Sequence, residues 1–323
     1  MIKRIVNKIN RIKKEVAFQY FPSNTLFIKE KQNKIFMYHG VDLVGETRFN
    51  TRHTSIKCFE QQIYFLKKNC NIISLEDYVQ QKFNPHKANV VITFDDGYLN
   101  NYLYAKPILE KYKAPATFFI TGLNNTEDTI LWADLLNITS SLTDRPFSLD
   151  GEEYINVKGI YRNTCDESIY DVIKQKKTDY TYKKKIIEVL KDYSTFQKDS
   201  SYDDYWKLMT DEQIIETSQS DYISIGSHGF YHNNLGAQSL ELSIDELKNS
   251  KKYLENLIDK QVNSIGYPDG SYTRELITEA YNLGFHLQVA ADGYLYKEDE
   301  LDNRIHDRKG IYSCDTCGNQ LIY

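Results

Sequence analysis

The stretch "VVITFDDGYLN", residues 90–100, runs apolar and β-branched side chains straight into two adjacent carboxylates, Asp95 and Asp96. Residues like Val90–Phe94 favour a strand buried on both faces, as in the interior of a parallel sheet. Two neighbouring anions at the end of such a strand repel each other and are costly to desolvate. A turn would account for Asp96-Gly97 but needs no second carboxylate. The pair therefore calls for a positive partner, either a cation from elsewhere in the chain or a bound metal.

On both sides of this strand, short apolar runs alternate with amphipathic segments. Strands are predicted at Lys34–Tyr38, Asn71–Ser74, Asn89–Phe94, Ala116–Thr121, Tyr222–Gly226, Val262–Tyr267 and His286–Ala290. Helices fit between them at Ile56–Asn69, Leu75–Gln81, Asn100–Tyr112, Asp211–Gln219, Ser239–Asp259 and Thr273–Leu283. Such alternation predicts an α/β fold with a parallel sheet, open or closed into a barrel. One connection breaks the rhythm. Residues 124–210, between the fourth and fifth strands, far exceed an ordinary strand-to-helix loop. This insertion carries Trp132, Trp206 and many tyrosines, with helical pieces near Leu131–Ser141 and Tyr182–Tyr193. It reads as a subdomain beside the strand ends, its aromatics mostly forming a small core of its own.

The chain has 323 residues, 41% hydrophobic and 26% charged, enough for one large core or two modest ones. A net charge of −5 gives no reason to expect nucleic-acid binding. No run approaches the ~18 apolar residues of a membrane span. The first 21 residues, "MIKRIVNKINRIKKEVAFQYF", interleave charges with apolar residues instead of setting an apolar block behind a basic tip. They do not read as a secretory signal, so a cytoplasmic location is expected. Five cysteines form no disulfide framework, and the "CDTC" pair Cys314 and Cys317 reads as incidental.

Residues 1–21 are expected to form a basic amphipathic helix. On a helical wheel Ile2, Ile5, Val6, Ile9, Ile12 and Val16 share one arc about 120° wide, with most of the cations outside it. Such a helix either packs on its own domain or lies on a membrane surface. In the second case residues 1–16 would give peripheral association with the inner face of the membrane.

The predicted fifth strand ends in "SIGSHGFYHNNL", with His228 and His232 four residues apart. On one helical turn imidazoles at this spacing converge on a point. With Asp96 they make a His-His-carboxylate set that leaves positions open for water and substrate, as expected of catalytic zinc or a related divalent ion. Asp95 is then free to act as the base that takes a proton from water.

"TFDDGY" followed by "SHGFYH" resembles the polysaccharide deacetylase (NodB-homology) family, carbohydrate esterase family four, over roughly residues 34–305. The resemblance implies a distorted (β/α)7 barrel, here carrying a long insertion between its fourth and fifth strands in a catalytic domain spanning 34–323. It also implies metal-dependent removal of N-acyl groups, acetyl or formyl, from an amino sugar in a glycan. It places the general base on Asp95 and the metal ligands on Asp96, His228 and His232. "IFMYHGV" is similar to a subgroup with a Tyr-His motif, which implies His39 as general acid. "IGYPDGSY" resembles that subgroup's Tyr-Pro-x-Gly motif and puts Tyr267 and the backbone N–H of Asp269 beside the developing oxyanion. Many members carry at this place an Arg-Pro-Pro-Tyr motif whose arginine orients the catalytic Asp, whereas this chain has "GYPDG" and no arginine there. Arg304 is the expected substitute, and His306 a rival for the general acid. The opposing reading is a non-catalytic carbohydrate-binding protein on the same fold.

Overall fold

The computed structural model describes residues 6, 9–10, 12–16, 20, 26–127, 129–175, 180–312, 318 and 321. Cys314, Cys317 and much of the N-terminal helix expected at 1–21 lie outside the described residues.

The centre of the molecule is a nine-stranded sheet in which every pairing is parallel. Its strands are β1 (Lys34–Tyr38), β2 (Asn71–Ile72), β3 (Asn89–Phe94), β4 (Ala116–Ile120), β5 (Ile223–Ser227), β6 (Ser264–Gly266), β7 (Leu287–Val289), β8 (Ile305–His306) and β9 (Lys309–Gly310). The order is β8-β7-β6-β5-β4-β3-β1-β9, with β2 against the start of β3. All six residues of β3 are buried, as the unbroken apolar run requires. The first seven strands fall where the sequence places them, several one to three residues shorter.

The last two strands escaped the sequence reading and decide the closure. β8 pairs with β7, and β9, two residues later, pairs with β1 at the opposite end of the strand order. The run Ile305–Gly310 is therefore a seam that joins the two ends of the curled sheet. Its polar composition hides it, because its middle residues Asp307 and Arg308 pair with neither neighbour.

Helices cover the outside of the sheet, with start signals in the sequence. Ser55 caps Ile56–Asn69 by accepting from the Cys58 N–H, and Ser239 caps Leu240–Ile258 by accepting from that of Leu242. The helix expected over Asn100–Tyr112 is π-wound at Asn101–Ala105 before it becomes regular at Lys106–Tyr112. Pro107, which has no N–H to give, sits in the first regular turn.

Residues 124–210 include helices at Trp132–Leu142 and Tyr180–Leu190 and an antiparallel three-stranded sheet, Phe147–Leu149, Glu152–Val157 and Ile160–Arg162. Leu135, Leu136, Tyr154, Ile186, Phe196, Tyr205 and Trp206 form a separate buried cluster that Phe49, from the loop after β1, also joins. Among the described residues no helix is long and apolar enough to cross a membrane.

Candidate active site and metal centre

The C-terminal ends of β1, β3, β5 and β6 deliver His39, Asp95-Asp96, His228 and Asp269 to one rim. There His39, Asp95, His228 and Asp269 line a cavity of about 470 Å³ together with His232, Arg52, Asp292 and Tyr312. Asp95 and Asp96 are almost fully buried. Asp96 has φ +74° and Gly97 φ +80°, a left-handed turn that aims consecutive carboxylates differently and that Gly97 adopts without penalty.

Asp96, His228 and His232 each offer a ligand atom within 4.8 Å of the others. His228 Nε2 and His232 Nε2 lie 3.4 and 3.2 Å from Asp96 Oδ1. Neither Asp96 oxygen accepts a hydrogen bond among the described residues. A buried carboxylate left without donors and faced by two imidazole nitrogens fits a divalent cation. His228 Nδ1 is 2.7 Å from the Gly266 carbonyl oxygen. Donation to that carbonyl fixes the tautomer and leaves Nε2 free to ligate.

The histidines do not converge by a helical turn, as the i, i+4 spacing suggested. Residues 228–234 form a loop, and His232 has φ +52°. The buried Glu246 holds that loop: its Oε1 accepts from the Tyr231 and Asn233 backbone N–H groups, and its Oε2 from the Asn233 side chain at 2.8 Å. The Gly122 N–H donates to the Phe230 carbonyl, and the His228 N–H to that of Ile120, so the loop is also fastened to the end of β4.

Asp95 has its own cation, and it is not Arg304. Arg304 is spent on Asp302, at 2.9 and 2.8 Å, and on Thr278. Arg308, in the seam between β8 and β9, reaches Asp95 with Nη1 at 2.6 Å and Nη2 at 2.8 Å and gives Nε to the Ala290 carbonyl. Burial alone would raise the Asp95 pKa; the charge and hydrogen bonds of Arg308 hold it below the ordinary carboxylate value. No local signal separates the two arginines, since Asp302 lies two residues before Arg304 and Asp307 directly precedes Arg308.

The other expected residues divide. His39 lines the cavity, and burial lowers its pKa to about 4, so it is neutral at pH 7. His306 does not line it; its ring packs edge-on against Tyr78 at 5.6 Å. The Tyr267 side chain is fully buried and donates to Gln288 Oε1 at 2.6 Å, which removes it from any substrate contact. Asp269 lines the cavity with φ +53°. Three of the lining residues named above, Arg52, Asp292 and Tyr312, were not anticipated. Tyr312, whose ring lies 6.3 Å from that of His39, donates to Asp292, and Arg52 lies 3.7 Å from Asp96.

A model of the polysaccharide deacetylase family matches residues 82–143 and 158–287, more than half of the chain. The chain belongs to the polysaccharide deacetylase family. YxkH of Bacillus subtilis (strain 168), assigned to the same group by its name, is 22% identical over 276 residues, covering 84% of this chain and 69% of YxkH. Among solved structures, the Streptococcus pyogenes deacetylase PplD in complex with acetate superposes with a TM-score of 0.57 at 20% identity, over 90% of this chain and 96% of PplD. A de-N-acetylase from Aggregatibacter actinomycetemcomitans gives 0.54 at 18% identity, over 87% and 95%. At these identities the likenesses establish the shared α/β barrel fold. The family gap at 144–157 contains the strands Phe147–Leu149 and Glu152–Val157, both inside the insertion.

Proposed function

We propose that this deacetylase hydrolyses the N-acyl group, acetyl or formyl, of an amino sugar in a surface glycan or its lipid-linked precursor, using one divalent ion. The observation that carries the reading is the convergence of Asp96, His228 and His232 beside a carboxylate, Asp95, that Arg308 keeps ionised. When bound, a divalent ion, zinc or a related first-row metal, would supply Lewis-acid polarisation of the acyl oxygen and acidify water.

The residues of the chain do the rest. Asp95 takes a proton from the attacking water as the C–O bond forms, and Arg308 holds its carboxylate in place. The Asp269 backbone N–H is assigned to the oxygen that gains negative charge, where a well-aimed donor contributes about 3–4 kcal/mol. His39 enters as neutral imidazole. It picks up the proton that Asp95 accepted and passes it to the amine nitrogen as the C–N bond breaks, leaving a free amino sugar and a carboxylic acid.

A non-catalytic binder drew its support from the missing arginine of the Arg-Pro-Pro-Tyr motif, and Arg308 removes that support. The test is release of acetate or formate from N-acylated glucosamine oligomers by the purified protein, with and without a chelator and restored metal. Binding of the oligomer without release, in metal-loaded protein, would favour the binder.

A cytoplasmic site of action belongs to the same proposal, since the chain then meets glycan precursors before export. The four described members of the N-terminal stripe, Val6, Ile9, Ile12 and Val16, are helical and 42–55% exposed, which supports docking of this segment on a membrane surface.

A further inference from the structure

The insertion reaches the proposed metal site at two points: the buried Lys183 Nζ donates to the His232 carbonyl, and Asp134 pairs with Arg52. Asp134, in the helix Trp132–Leu142, is fully buried. Its Oδ1 accepts from Arg52 Nη2 at 2.8 Å and from Asn50 Nδ2 at 3.0 Å, and its Oδ2 from the Tyr98 hydroxyl at 2.6 Å. Arg52 belongs to the loop after β1 and lines the catalytic cavity. Its Nη1 stops 3.7 Å from Asp96 Oδ2, beyond hydrogen-bond reach.

Two buried carboxylates thus face one guanidinium, and the closer contacts go to Asp134. That choice matters to Asp96. A guanidinium that closed onto Asp96 would cover an oxygen a metal ion needs. It would also set an uncompensated positive charge beside a dication in a site with little water to screen it. With its charge matched by Asp134 and its plane fixed by Tyr98 and Asn50, Arg52 cannot make that move. Resting on the ligand set proposed above, we infer that Asp134 is a positioning residue for metal binding: it restrains Arg52 so that Asp96 stays available to the ion. The insertion is on this account a working part of the catalytic centre, joined to it by Asp134.

The proposal is tested with full-length metal-free protein titrated with Co²⁺, following the visible absorption bands of the bound ion. Asp134→Asn should bind Co²⁺ at least tenfold more weakly than wild type, in the range that loss of a supporting residue brings to metal sites. Arg52→Met should bind at least as tightly as wild type, and Arg52→Met with Asp134→Asn should match Arg52→Met within threefold. A merely structural Asp134 predicts the same weakening in both backgrounds, and that result would overturn the inference. So would wild-type affinity in Asp134→Asn, or weakened binding in Arg52→Met alone. The last measurement decides the matter should Asp134→Asn fail to fold. His228→Ala is the control: retention of wild-type Co²⁺ binding there would overturn the ligand assignment itself.

Discussion

Arg308 grips both carboxylate oxygens of Asp95 across 213 positions of sequence, from the segment that pairs with both ends of the curled sheet. The contact that seams the barrel is thus also the contact that sets the charge of the proposed base. Arg308→Met should lower stability by about 3–5 kcal/mol, because it leaves a buried carboxylate without its partner. Burial would then act on Asp95 without the opposition of Arg308 and raise its pKa, so the acid limb of kcat/KM should move to higher pH. In the wild type, the depressed Asp95 pKa contributes stability that is present above the unfolded value of about 4 and lost as pH falls through the folded one. Denaturant unfolding at pH 7 and pH 3 should therefore show a smaller gap between variant and wild type at pH 3. An equal gap at both would detach Arg308 from the charge of Asp95.

Asp95→Asn and His228→Ala should separate the two functions of the rim. Asn keeps the shape of the side chain and cannot take a proton, so turnover should fall about 10²-fold or more while one equivalent of metal remains. His228→Ala should lose both metal and activity, with the far-ultraviolet circular dichroism unchanged because the ion lies at the rim and outside the core. Metal analysis of the two purified variants, beside acetate release, is the check.

What could be read from the sequence was whatever lies in consecutive residues. Asp95-Asp96-Gly97 and His228/His232 declare themselves because the chemistry needs them close together, and seven strands do so because burial on both faces demands apolar runs. Pairings fixed by the barrel's curvature were out of reach. Arg304 and Arg308 are equally good candidates as text; only the seam puts the second over Asp95. Likewise the histidine spacing suggested a helix, but Glu246, on a helix that begins after the loop, imposes a different path to the same convergence.

The two candidate acids make opposite predictions. His306 lies outside the cavity, so His306→Ala should cost stability through the lost packing on Tyr78 and leave kcat within about threefold of wild type. His39→Ala should lower kcat about 10²-fold or more. The pH profile adds a sharper check. With a His39 pKa of about 4, the free enzyme holds neutral imidazole at pH 7. If His39 receives its proton during the reaction, kcat/KM should be level between pH 6 and 7. If it had to enter protonated, kcat/KM would drop tenfold per unit of pH across the same interval. A falling profile would sink the neutral-entry route.

The last prediction concerns where the deacetylase works. An apolar stripe of Val6, Ile9, Ile12 and Val16 left 42–55% exposed gains nothing from water, while the cations that flank it in sequence suit anionic headgroups. Each Lys or Arg near such a surface contributes about 1 kcal/mol, and the buried stripe adds to it. Vesicles containing anionic lipid should therefore sediment the full-length protein at low salt, and release it as ionic strength rises and screening shortens. Deleting residues 1–16 should leave the protein in solution while its cleavage of a short soluble N-acetylated oligomer stays unchanged, because every proposed site residue lies at His39 or later in the chain. Two results would refute membrane docking. One is indifference of the full-length protein to anionic vesicles at low salt. The other is loss of soluble-substrate activity on truncation, which would make the segment a support for the fold.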